Sequence, residues 1–184
     1  MIVIKLGGSL SQAETLLSCL NRIEQHYKDQ AVVIVPGGGA FADQVRLAQV
    51  RWQFDDTTAH RMAILAMQQM ALLIHGLKNQ FTIVHSSTDI LKRIKQGEAL
   101  IWSPMIDELD KASVPASWDM TSDSLAAWLA KTVSAQALIL VKSAIIDNKL
   151  TLEQLAEQQI IDQGFCQLVA TATFTVNIIS QHDF

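Results

Sequence analysis

The 184-residue sequence predicts an α/β fold: a mainly parallel sheet covered by helices on both faces. Three observations carry this reading. Short apolar runs alternate along the chain with segments of helical periodicity. The first runs, Ile2–Leu6 and Ala31–Val35, are almost continuously apolar, the pattern of strands buried on both faces. Each of those two runs ends in a glycine loop, Gly7-Gly8-Ser9 and Gly37-Gly38-Gly39-Ala40, with a helix expected to open directly behind it.

The elements follow in order. Ser11-Gln12-Ala13-Glu14 has the form of a capping box, and Leu16, Leu17, Leu20, Ile23 and Tyr27 continue at helical spacing. Behind the second loop, Phe41, Val45, Ala48 and Trp52 mark one helical face. A longer helix from about Thr58 to Leu77 is apolar on most sides, which places it centrally in the packing. Phe81–Val84 and Ala99–Trp102 read as strands, separated by a short helix carrying Ile90, Leu91 and Ile94. Ser103 to Ser117, with two of the three prolines, reads as an irregular segment or lid. A helix starting at Thr121, a strand at Ala137–Val141, a second capping box at Thr151-Leu152-Glu153-Gln154 and a last strand at Phe174–Ile179 complete the order. No internal repeat or linker is evident, so residues 1–184 are expected to form one domain.

Composition narrows the function. Fourteen basic residues against eighteen acidic ones give a net charge of −4 with no basic block. Nucleic acid and anionic membrane surfaces are therefore not expected partners. Cys19 and Cys166 fit no metal-ligand spacing and are expected as small buried apolar residues in a reducing compartment. Strand-like sequence from Ile2 and the lack of a membrane-length apolar run give the expectation of a cytoplasmic protein.

The chemistry concentrates at the strand ends. Glycine permits close backbone approach, so both loops can turn N–H groups onto an anion, and Lys5 adds a full positive charge beside the first. Lysine and N–H groups are the components phosphoryl transfer requires, although a glycine turn with a solvated lysine is the plain alternative. The spacing is not that of a Walker A loop. Gly37 to Ala42 formally satisfies a dinucleotide-binding pattern, but its required acidic residue would have to be Asp55 or Asp56, between two helical segments. Asp123 either favours its helix N-terminus, with Thr121 or Ser122 as cap, or holds phosphate-facing lysines by ion pairs. Lys142 follows the apolar strand 137–141, at the strand end where open α/β sheets bind ligands. His60 and Arg61 are candidates to meet an acidic or phosphorylated acceptor, against the plainer alternative of a helix-terminal surface.

Ile4-Lys5-Leu6-Gly7-Gly8-Ser9, Val35-Pro36-Gly37-Gly38-Gly39 and Thr121-Ser122-Asp123-Ser124 occur in the order typical of the amino acid kinase superfamily, which the sequence resembles up to about Lys142. The short chain and the segment 117–123 are most similar to the branch containing the aminomethylfuran-phosphate kinase of methanofuran synthesis and its relatives in one-carbon metabolism. The resemblance implies a three-layer αβα sandwich that uses ATP and Mg²⁺, with no side chain assigned to the metal. It implies a kinase acting on a small anionic acceptor, a phosphate or carboxylate, and at least a dimer. Lys5 would stabilise the transferring phosphoryl group, Asp123 organise the lysines and Lys142 contact phosphates. Gly7, Gly8 and Ser9 would hold the nucleotide phosphates, and Gly37, Gly38, Gly39 and Thr121 would face the acceptor. After Val141 the family's Thr-Asp-x-Asp-Gly-Val/Ile-Tyr segment is replaced by Lys142-Ser143-Ala144-Ile145-Ile146-Asp147, and the later Gly-Met…Lys stretch is not recognisable. That departure implies a shortened nucleotide-binding part and opens a second reading, a non-catalytic binding or regulatory subunit on the kinase fold.

Overall fold

The computed structural model describes residues 1–12, 14–94, 98–147 and 149–184. Six strands form one sheet: β1 (Ile2–Leu6), β2 (Val32–Pro36), β3 (Thr82–Val84), β4 (Ala99–Trp102), β5 (Ala137–Lys142) and β6 (Thr175–Ser180). Their order is β3-β4-β2-β1-β5-β6, and every pairing is parallel. The helices are α1 (Thr15–His26), α2 (Gly39–Trp52), α3 (Asp56–Leu77), α4 (Ser87–Arg93), α5 (Ile106–Lys111), α6 (Ser122–Thr132), α7 (Leu152–Glu157) and α8 (Gln163–Val169).

Strand alternation divides the core into the two expected layers. Val3, Val33, Leu100, Leu138 and Leu140 point to one face, where α6 and α8 cover them through Leu125, Leu129 and Phe165. Ile4, Leu6, Ile34, Ile101 and Val141 point to the other and pack on Leu16, Leu20 and Ile23 of α1 and Ile74 of α3. The same alternation decides where the strand lysines go. Lys5 lies two residues after Val3 and Lys142 two after Leu140, so both project to the α6 face. In the β1–β5 register Lys5 stands opposite Leu140, which makes Lys142 its diagonal neighbour at the carboxyl edge.

Several local expectations change. Ser11 caps no helix: residues 8–12 form a 3-10 helix, and the Ser11 hydroxyl donates to the Gly8 carbonyl at 2.7 Å. The chain then enters α1 through Glu14, whose side chain makes no cap bond, while Ala13 of the expected box lies outside the described residues. The Thr151–Gln154 box forms as expected, with both reciprocal bonds. The segment 103–117 is not wholly irregular, because it holds α5. Cys19 is buried but Cys166 is only half-buried. Asp55 is the N-cap of α3, accepting from the Thr58 N–H at 2.7 Å, which gives Asp55 a structural role and removes it from any dinucleotide site. No helix among the described residues is long and apolar enough to cross a membrane.

The two glycine loops meet through bare backbone. A Cβ on Gly37 would stand 2.4 Å from the Gly8 nitrogen, and one on Gly8 would stand 2.4 Å from the Gly39 nitrogen. Gly39 also has φ +54°, in the left-handed region that glycine occupies without steric cost. Gly37→Ala is therefore expected to force the loops apart and destabilise the fold by about 1–3 kcal/mol, as overpacking does. Urea denaturation monitored by tryptophan fluorescence measures this, and an unchanged midpoint would show that the contact is not tight.

Candidate functional site

The site lies at the carboxyl edge of β1, β2 and β5, where the chain leaves the sheet in opposite directions on the two sides of β1. Open parallel sheets bind ligands at such switch points. The first loop turns off β1, and Gly7 spends its N–H on the Val141 carbonyl at 3.0 Å, which ties the loop to β5. Gly37 is held in the same way to Leu6 of β1, at 2.8 Å. Among the described residues, Gly8, Ser9, Gly38 and Gly39 give their N–H groups to no backbone carbonyl. These are the groups free to meet an anion, two from each loop, and the last pair opens the 14-residue helix α2.

Above them sits a buried charge trio. Lys5 Nζ lies 2.8 Å from Asp123 Oδ1, and Lys142 Nζ lies 2.5 Å from Asp123 Oδ2. Lys5 and Asp123 are buried, each with 5% of its side chain exposed, and Lys142 is largely covered, with 11% exposed. Lys5 approaches Oδ1 outside hydrogen-bonding geometry, so that oxygen has an ion-pair partner but no directed hydrogen bond. Burial alone would raise the Asp123 pKa; the charges of Lys5 and Lys142 outweigh it and hold the carboxyl at about 2. Burial and the neighbouring Lys5 charge depress Lys142 to about 8, against the opposing pull of Asp123 and Asp162. Within the trio two cations share one anion, while around the larger cavity Lys5, Arg46 and Lys142 stand with Asp43, Asp119, Asp123 and Asp162.

Two cavities flank the loops. The smaller, about 250 Å³, lies over Gly38 and Gly39 and is walled by His60, Ile64, Met67 and Trp118. The larger, about 860 Å³, holds Lys5, Gly7, Asp123, Lys142, Ser143 and Asp162. They share Gly8, Ser9, Asp43, Arg46, Trp118 and Thr121 as common lining, so they adjoin at the first glycine loop. The Ser9 and Ser143 hydroxyls, 2.7 Å apart, bridge that loop to the segment after β5.

The structure gathers Lys5, Gly7, Gly8, Ser9, Gly38, Gly39, His60, Thr121, Asp123 and Lys142 around the adjoining cavities. Gly37 lies underneath as a backbone spacer. Arg61 is turned away, its guanidinium 2.9 Å from Asp110 on the far side of α3. His60 is buried at the cavity wall, where its Nδ1 meets the Ser117 carbonyl at 3.1 Å. Burial lowers the His60 pKa, which favours the neutral ring at pH 7. Sequence reasoning missed Arg46 and Trp118, whose guanidinium and indole stack 3.8 Å apart at the junction of the cavities. The indole N–H is anchored on Gln49 Oε1 at 2.7 Å. Arg46 lies one turn beyond Ala42 on the cleft side of α2, and that helical spacing was the available signal.

A parallel sheet with two apposed glycine loops and a lysine–aspartate–lysine trio at its carboxyl edge defines the class: an α/β protein with a charged cleft at the sheet's switch point. The chain belongs to the amino acid kinase family, whose model matches residues 1–144. It is 27% identical over 141 residues, 76% of the chain, to the [5-(aminomethyl)furan-3-yl]methyl phosphate kinase of Methanocaldococcus jannaschii, and it spans 64% of that relative's length. Its fold is similar to that of uridylate kinase from Archaeoglobus fulgidus, with TM-score 0.76, 18% identity, and 99% and 92% of the two chains covered. UMP kinase from Ureaplasma parvum is also similar, with TM-score 0.73, 17% identity, and coverage of 97% and 88%. An aspartate kinase from Synechocystis shares the fold at TM-score 0.68 and 13% identity, with 99% of this chain but 38% of that one covered.

The trio's titrations give signed expectations. Asp123 contributes stability that is present above the ordinary carboxylate pKa near 3.8 and is lost as pH falls toward 2. Lys142 has the same sign in another window: between about 8 and 10.5 the unfolded chain binds more protons, so stability at this group also rises with pH there. Following the Lys142 ammonium by NMR, we expect a midpoint of about 8 in the wild type and a lower one in Asp123→Asn, which leaves two lysines repelling each other. A midpoint that does not move would show that Asp123 is not the counter-ion.

Proposed function

We propose that the protein is a small-molecule kinase that moves the γ-phosphoryl group of ATP onto a phosphate or carboxylate acceptor. The single observation that carries the reading is the buried Lys5–Asp123–Lys142 trio, set beside two adjoining cavities with free N–H groups at their junction. ATP with Mg²⁺ would supply the phosphoryl group. The residues fit it: the larger cavity adjoins both lysines and the Gly8 and Ser9 N–H groups, a cationic cradle for a polyphosphate.

The chain's own residues then have separate roles. Lys5 neutralises charge on the moving group, where stabilisation of the transition state counts most. Lys142 holds phosphate oxygens from the β5 side, and Asp123 keeps the two ammonium groups at fixed positions. Gly38 and Gly39 present N–H groups to the acceptor, and Thr121 borders both cavities. An anionic acceptor is already a nucleophile, so positioning and electrostatics suffice without a dedicated base.

The smaller cavity favours an acceptor of modest size with a flat or apolar body. Ile64, Met67 and Trp118 supply the apolar wall, and Arg46, which makes no carboxylate pair among the described residues, supplies a cation at the mouth. A phosphorylated small ring is consistent with that wall, and the aminomethylfuran-phosphate kinase relationship supports a place in cofactor biosynthesis of the methanofuran type. Exposed Leu47, Val50, Trp52 and Leu72 on α2 and α3 support a homo-oligomer. The alternative, a non-catalytic subunit, draws on the replaced segment 142–147; calorimetry with MgATP decides it, since absence of binding would put that reading first.

In steady-state assays Lys5→Ala is expected to lower kcat by about 100-fold or more while changing acceptor KM far less. Lys142→Arg keeps the charge at alkaline pH, so a fall in kcat above about pH 8 in the wild type should move to higher pH in the variant. Full turnover in Lys5→Ala would remove the lysine from the reaction.

A further inference from the structure

The carboxylate of Asp162 is the most heavily used acceptor near the site, and neither the motifs nor the family match, which ends at residue 144, includes it. Its Oδ2 accepts from the Thr121 N–H at 2.9 Å, the Thr121 hydroxyl at 2.7 Å and the Ser124 N–H at 3.1 Å. Its Oδ1 accepts from the Phe165 N–H at 3.0 Å and from the Ser124 hydroxyl. Asp162 is thus the N-cap of α8 and at the same time caps α6 from outside. Thr121, at the N-cap position of α6, makes no cap bond with its own side chain. This corrects the expectation that Thr121 or Ser122 caps the helix.

The geometry has a direct consequence for Asp123. It sits between Thr121 and Ser124, both fastened to Asp162, so its side chain leaves the first turn in one direction, toward Lys5 and Lys142. A second contact locks the same junction. The Gly164 N–H donates to the Asp119 carbonyl at 2.8 Å, and a Cβ on Gly164 would stand 2.6 Å from that oxygen. The start of α8 is therefore seated on the segment leading into α6, with no room for a side chain between them.

We propose that Asp162 is the positioning residue of the site: it fixes the first turn of α6 and thereby holds Asp123 between the two lysines. It also completes the charge pattern. Lys142 faces Lys5 on β1, Asp123 on α6 and Asp162 ahead of α8, and exposed Asp43, Arg46 and Asp119 border the same cavity. Asp162 thus adds a second carboxylate to the field at Lys142, beyond ion-pair distance. The catalytic consequence rests on the kinase reading above; the positioning itself does not.

The test uses Asp162→Asn, which keeps the shape but loses the charge and one acceptor oxygen. Amide exchange at Thr121 and Ser124 should quicken by about fivefold or more, the size of one lost cap bond. The Lys142 midpoint, about 8 in the wild type, should fall as an attractive charge is removed. If the protein is a kinase, kcat should drop by about 10-fold to 100-fold with a smaller change in KM for MgATP, because misplacement rather than lost contact is the defect. A cap without influence on the trio would quicken exchange but leave the Lys142 titration unmoved, and that result overturns the proposal. Because Asp162 also caps α8, Thr121→Val is made in parallel; it removes one donor and leaves the α8 cap intact. Wild-type exchange at both Thr121 and Ser124 in Thr121→Val, with an unmoved Lys142 titration, overturns the proposal even where Asp162→Asn fails to fold. A wild type without phosphoryl transfer defeats the kinase reading alone, since exchange and titration are read without substrate.

Discussion

One carboxylate shared by two lysines organises this protein. Burying an ammonium group is costly unless an opposite charge accompanies it, and here two are buried within reach of one aspartate. The arrangement is stable only if Asp123 stays where it is, which requires that β1, β5 and the first turn of α6 meet at one point. Sheet register supplies the first two and helix capping the third. One positive charge is left over within the trio, and the trio borders the larger cavity.

The glycine loops solve a different problem. Two turns stand side by side without side chains filling the gap, and only residues lacking Cβ allow the Gly8–Gly37 and Gly8–Gly39 approaches. Gly7 and Gly37 use their N–H groups to fasten the loops to the sheet, leaving the outer N–H groups exposed to the cavities. Within each loop, then, one part is architecture and the other borders the cavities.

Much of this was legible in the sequence. Apolar runs place Lys5 at the first glycine loop and Lys142 behind the strand 137–141, both at strand ends; their common face follows only from the β1–β5 register. The parts that were not legible share a cause: they depend on residues distant in the chain. Asp162 caps a helix that begins forty positions earlier, and no local pattern announces an external cap. Ser11 looked like a capping residue, yet the Gly8 carbonyl took its hydroxyl and a 3-10 turn replaced the expected start. Arg46 reads as an ordinary surface arginine until Trp118 is brought beneath it from the other side of the cleft.

The central place of β1 has a consequence for how the chain is made. β1 precedes both of its pairing partners in the chain, β2 on one edge and β5 on the other. While the chain emerges, β2 can cover one edge early, and the other must wait until residues 137–142 appear. During that interval a nearly all-apolar strand shows an open hydrogen-bonding edge, the kind of surface that recruits another chain. Closing it requires a contact of very high sequence separation, the class that folds slowly. Lys5 is the one charged residue in that strand. Until Asp123 arrives to meet it, its charge is the strand's own protection against misassembly, a service to the nascent chain that ends when the finished protein claims the residue for its site.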